Sequence, residues 1–309
     1  MSTSKPTPLG IEDFIKSATM FYIDPELEKE FDDAVEKDVK EIKTELLGIG
    51  TEEGLQKYIR ETPESLDRIT SLLNISEEKF KRIITMLRIH KGFTPTSEWS
   101  MSTLRAQMIE SPDWMSMVSR LLMYGRTLKE YQKLIPEFYL TNFSIDATTI
   151  GRLADDDDIR RLVKKGYEGK YNNRIGDSFF NKISTSITKK CDREGLTYAI
   201  KDIVPLAEKQ ISIAIPDVKH PRLMIDVTYG ITTSSTQTRL AKEAETIYSK
   251  LREKNHGKAD KEKILYISII DGAGWVARQS DLNKIHRCSD YLINLNSIGM
   301  MDTIIVYYL

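Results

Sequence analysis

The sequence of 309 residues has only two cysteines, Cys191 and Cys288, and four histidines, His90, His220, His256 and His286. None of them falls in a CxxC or HxxxH spacing, which argues against a structural zinc site. Two thiols in so long a chain suit a reducing cytoplasm, the expected location. No apolar run approaches the ~20 residues of a membrane span, so no membrane partner is expected. The first residues, through Pro8, are polar and lack the apolar stretch of a secretory signal. The sequence holds no internal repeat and no low-complexity segment. It also lacks an excess of charge of either sign. Its 45 Lys and Arg against 46 Asp and Glu leave a net charge of -1, so the whole chain does not announce a nucleic-acid partner.

The charge is unevenly spread. Acids outnumber bases from Glu12 to Glu64. Between Ile159 and Lys190, nine lysines and arginines face two acids, Glu168 and Asp177. A near-neutral total can therefore hide a basic, phosphate-tracking face.

Apolar spacing predicts a mostly helical first part over 11–143. Asp24-Pro25 reads as a helix start, followed by Leu27, Phe31, Val35, Val39, Ile42 and Leu46 at helical intervals. Gly48 and Gly50 break that pattern, and Ser76 opens another helix. Further helices fit 101–110, 113–124 and 127–135. The acidic run Asp155–Asp158 reads as the first turn of a short helix, where carboxylates favour the helix dipole. Gly166 to Arg174 reads as a loop, with a new helix beginning at Asp177. The period then changes. Gln210–Ile215 alternates like a strand, Pro216–Pro221 turns, and Arg222–Tyr229 is rich in β-formers, so a hairpin is expected. A helix over 239–254, a strand over 263–270, a short helix over 275–285 and a last strand over 291–295 complete an α/β pattern. Two domains are expected, helical over 1–150 and mixed-sheet over 151–309; the second resembles the common core of PD-(D/E)xK nucleases in its order of helix, hairpin, helix, strand, helix and strand, and that resemblance implies a recognition or dimerisation role for the first.

Five separated segments resemble type II restriction endonucleases of the DpnII/MboI type: Asn173-Arg174-Ile175-Gly176-Asp177, Leu223–Tyr229, Ile231–Thr238, Ile270–Trp275 and Asp290–Asn296. The resemblance covers roughly residues 20–300. It implies a Mg²⁺-dependent endonuclease acting on double-stranded DNA at a short, GATC-like palindrome, working as a homodimer whose two-fold symmetry mirrors the site.

Phosphodiester hydrolysis calls for one or two divalent ions, and Mg²⁺ takes oxygen ligands. Asp226 and Thr228 alternate on one strand and share a face. Asp217 lies at the hairpin turn and Asp177 at a helix start, so Asp226, Asp217 and Asp177 are the candidate metal ligands. Taken singly, Asp177 reads equally as a helix cap and Asp217 as a turn residue. The superfamily expects an acid on the first hairpin strand, where Ser212 stands, and Glu-x-Lys on the second, where Asp226-Val227-Thr228 stands. The missing positive charge is expected from Arg239 or Lys242. DNA contacts are expected from Asn173, Arg174, Thr233, Ser234 and Ser235, with Gln237 placed to read adenine. The departures at Ser212 and Thr228 also fit a nuclease fold that binds DNA without cutting it.

Overall fold

The computed structural model describes residues 4–309, which divide into two compact units: residues up to Leu27 together with Tyr171–Leu309, and Glu28–Lys170. The sequence placed the boundary at 150. The division differs because residues before Leu27 belong to the sheet unit, while the start of the long helix Asp156–Glu194 belongs to the helical one.

The sheet unit is built on five strands in sequential order: β1 (Ala199–Val204), β2 (Lys209–Ile215), β3 (Leu223–Tyr229), β4 (Leu265–Asp271) and β5 (Tyr291–Ile293). The first three form an antiparallel meander, and β4 and β5 run parallel to β3. Parallel neighbours need a crossover. Helix Ser235–Lys254 supplies it between β3 and β4, and Gln279–Cys288 lies between β4 and β5. Each strand divides its side chains between two layers. Ile225 and Ile267 pack with Phe179, Ile183, Ile187 and Cys191, spaced four apart on the long helix. Met224 and Tyr266 face the other way, onto Ala241, Ala244, Ile247 and Leu251 of the crossover helix.

The N-terminal segment completes this unit. Phe14, 1% exposed, lies in the crossover-helix layer. Asn294 Nδ2 donates to the Phe14 carbonyl at 3.0 Å and to Ser17 Oγ at 2.7 Å. Asp271, at the end of β4, accepts from Thr19 N at 2.5 Å and Leu295 N at 2.8 Å, so both carboxylate oxygens are used. The turn after it admits only glycine: Gly272 has φ 106°, and an added Cβ would fall 2.3 Å from the Gly230 carbonyl oxygen.

The helical unit is capped as its sequence suggests. Ser76 accepts from Lys79 N ahead of helix Glu77–His90, and Ser111 precedes Pro112 at the start of Pro112–Tyr124. Its core runs through Val39, Ile42, Leu55, Ile59, Phe80, Leu104 and Leu121.

Two sequence expectations change. First, 166–174 is not a loop. The helix is continuous from Asp156 to Glu194, because Ile159, Val163, Ile175 and Phe179 bury one side and outweigh the glycine cost of roughly 1 kcal/mol each. Asp177 is thus mid-helix and caps nothing. Second, Ala199–Val204, unassigned from sequence, is an edge strand. No helix among the described residues is long and apolar enough to cross a membrane.

Truncating Phe14 to alanine should destabilise the sheet unit by about 3–5 kcal/mol. Urea unfolding followed by circular dichroism reads this out. An unchanged midpoint would show that the segment is not part of that core.

Candidate active site

The hairpin register brings the site together. Ile213 pairs with Ile225, and one step further along, Ser212 N donates to Asp226 Oδ1 at 3.3 Å while Ser212 Oγ accepts from Val227 N at 3.0 Å. On the other side of β3, Tyr266 of β4 donates its hydroxyl to Asp226 Oδ2 at 2.8 Å. Lys209, the first residue of β2, brings its Nζ to 2.8 Å from the same oxygen and to 2.9 Å from Glu243 Oε2 on the crossover helix. Arg239, one turn earlier on that helix, donates to the other Glu243 oxygen. These groups line a cavity of about 390 Å³ that also includes Thr228.

The electrostatics follow from partial burial. The Asp226 and Lys209 side chains are 17% and 21% exposed. Burial opposes charge on Lys209, but the Asp226 and Glu243 carboxylates outweigh it and hold the ammonium above its ordinary pKa. Burial likewise opposes ionisation of Glu243, and Lys209 and Arg239 reverse the balance and lower it. Burial, with the Asp226 carboxylate adding to it, pushes the Tyr266 phenol well up, so it stays a protonated donor.

The structure thus gathers four sequence candidates, Asp226, Ser212, Thr228 and Arg239. A second cavity of about 310 Å³ shares Ser212 and Thr228 and is lined by Asn173, Asp177, Lys201 and Gln210. Asp177 is exposed there, 3.9 Å from Lys201 Nζ. Asp217 lines neither cavity. Its Oδ1 accepts from Lys219 N and His220 N at 2.7 and 2.8 Å, holding the turn at the opposite end of the hairpin. Among the described residues no three carboxylates, histidines or cysteines form a metal-holding group, so Asp226, Asp217 and Asp177 are not assembled as a ligand trio.

Lys209, Glu243 and Tyr266 were missed. One signal was available: Glu243 follows Arg239 by one helical turn, and both line the cavity. Of the two expected sources of positive charge, Arg239 lines the cavity beside Lys209, whereas Lys242 is exposed on the crossover helix outside the lining.

The DNA-contact candidates separate. Asn173, Arg174, Thr233, Ser234 and Ser235 are exposed. Gln237 is 3% exposed and cannot present an edge to a base. Its Oε1 accepts from Ser234 N at 2.5 Å and its Nε2 donates to the Thr232 carbonyl at 3.1 Å, closing a capping box at the start of the crossover helix. The basic stretch is also partly neutralised. Within the helical unit Arg160 pairs with Glu36, Arg161 with Asp158 and Lys164 with Asp32.

Residues 147–307 match the family of the BanI C-terminal domain, a restriction endonuclease family. The match spans more than half of the chain, and the chain belongs to that family, a class of DNA-binding nucleases. No curated protein matches it.

Replacing Gln237 with alanine should lower stability by about 1 kcal/mol through loss of the cap. It should leave base preference unchanged in a competition assay with single-base variants of a bound duplex. Relaxed specificity at one adenine would return Gln237 to the interface.

Proposed function

We propose that the protein is a Mg²⁺-dependent, site-specific endonuclease of double-stranded DNA whose reaction centre is the cavity at Asp226, Glu243 and Lys209. One observation carries this reading: two carboxylates from different elements converge on a single cation, the Lys209 ammonium, at 2.8 and 2.9 Å. The order of long helix, antiparallel meander, crossover helix and parallel strand supports a PD-(D/E)xK-type core.

The donor set fits magnesium. Mg²⁺ is commonly held by one or two carboxylates, with waters and a substrate phosphate completing its shell, so a third protein carboxylate is not required. Asp226 and Glu243 would hold the ion, which supplies charge neutralisation and an acidified water. The chain's own residues do the rest. Tyr266 and Ser212 N fix the orientation of Asp226 by two hydrogen bonds. Arg239, 62% exposed at the cavity, meets the phosphate backbone as a bidentate donor. Lys209 replaces the lysine that Thr228 lacks. The exposed Asn173 and Arg174 and the hydroxyls of Thr233 and Ser235 position the duplex without reading it.

By its resemblance to the DpnII/MboI type, the target is a short GATC-like palindrome, and a two-fold homodimer cuts its two strands. The departures at Ser212 and Thr228 motivate a second reading, a non-cutting DNA binder. Incubating plasmid DNA with the protein and Mg²⁺ separates the two: discrete fragments support the nuclease, and retarded but intact DNA supports the binder.

Asp226→Asn and Glu243→Gln should each lower cleavage on the order of a hundredfold, the scale of losing one preorganised charged group. Cleavage that survives both changes removes this cavity as the reaction centre. Affinity for duplex DNA should fall steeply with salt, and Arg174→Ala should flatten that slope by about one unit. An unaltered slope would place the phosphate contacts elsewhere.

A further inference from the structure

The carboxylate pair already has a cation, and it belongs to the protein. Lys209 Nζ contacts Asp226 Oδ2 and Glu243 Oε2 together, which is the bridging position between the two groups assigned above to the metal. Asp226 Oδ2 takes a second bond from Tyr266, and Glu243 Oε1 is engaged by Arg239. The oxygens that face each other across the pair are therefore the ones the ammonium occupies.

We infer that Lys209 is a resident counter-cation that a divalent ion must displace to load the site. The inference rests on the metal reading of this cavity. Three features support displacement rather than coexistence. An ammonium and a divalent cation sharing the same two oxygens repel one another strongly at low effective dielectric. Lysine carries its charge on a flexible four-carbon stem and makes no bidentate clamp, so it leaves more readily than arginine would. The cavity of about 390 Å³ that these groups line leaves open volume beside the pair into which the ammonium can swing. Before loading, the lysine keeps two half-buried carboxylates from facing each other unpaired. It thereby sets a threshold on metal binding: the ion must outcompete an intramolecular partner.

The test is calorimetric titration of the full chain with CaCl₂ and with MgCl₂, without DNA, together with melting temperatures with and without metal. The variants are Lys209→Met, Lys209→Gln, Lys209→Arg and Asp226→Asn. Removing the ammonium should tighten metal binding on the order of tenfold, since one intramolecular competitor is lost. Lys209→Met and Lys209→Gln should melt lower than the parent without metal and gain more from its addition. Lys209→Arg should bind metal no better than the parent. If Asp226→Asn weakens metal binding while both neutral variants bind it no more tightly than the parent, the lysine is not a competitor and the inference fails with the metal reading intact. If Asp226→Asn leaves metal binding unchanged, the metal reading fails and takes the inference with it. Neutral variants that stay unfolded even in saturating magnesium would also overturn it, because a divalent ion would then be unable to replace the ammonium.

Discussion

Two carboxylates held a few ångströms apart in a half-buried cleft repel each other unless a cation stands between them. In this protein that constraint is met by Lys209, which joins Asp226 on β3 to Glu243 on the crossover helix. Three elements of different sequence position are tied at one point: the first residue of β2, the middle of β3 and the third turn of the helix that carries the chain from β3 to β4. Such an arrangement is weak evidence for stability, because desolvating three charges offsets most of their attraction. Breaking it by removing one partner leaves an uncompensated charge, at a cost of about 3–5 kcal/mol.

The surrounding architecture serves to keep those charges in register. Alternation along β3 sends Ile225 toward the long helix and Asp226, beside Met224, toward the crossover helix. The capping box at Ser234 and Gln237 fixes where that helix begins, and so fixes the rotational position of Arg239 and Glu243 one and two turns later. At the other end of β4, the glycine turn after Asp271 brings the Thr232 and Gly230 carbonyls within contact of Gly274 and Gly272. The N-terminal segment closes over that turn, with Gly272 N and Ala273 N donating to the Thr19 and Met20 carbonyls.

Much of this was legible in sequence where side-chain periodicity and capping chemistry agree. Helix Met101–Glu110 has the bounds the sequence predicts, and the hairpin strands β2 and β3 fall within a residue of theirs. Asp24 and Ser76 cap as their positions predict. The failures have physical causes. In 166–174, glycine and asparagine signal a local preference that the buried residues on either side override. In β1, Ile200 and Ile203 are exposed and only Val204 is buried, so the edge strand shows no alternation to read. Lys201 even adopts φ 50°. The candidate site was legible only in part. Asp226, Ser212 and Thr228 lie on two adjacent strands, whose pairing the turn reveals. Lys209 reaches Asp226 through a side-chain stem that leaves no spacing in the sequence, and Glu243 arrives on a crossover helix where only its one-turn interval from Arg239 is visible.

Under the nuclease reading proposed above, the same geometry accounts for Thr228 where the superfamily carries lysine. That reading calls for a positive charge beside the carboxylate pair, and a side chain long enough to arrive from a neighbouring strand meets it. Lys209 does so from the start of β2, across the hairpin from Asp226. Once the lysine comes from β2, position 228 is free to be small, and Thr228 becomes part of the wall shared by the two cavities. The second cavity extends from Ser212 and Thr228 to Asn173 and Asp177 on the long helix, with the exposed Arg174 following Asn173 in the chain. Beside Ser212 and Thr228 the same cavity gathers a carboxylate from the crossover helix, Glu243, and an ammonium from the first hairpin strand, Lys209, so charges that those two positions do not carry arrive from other elements.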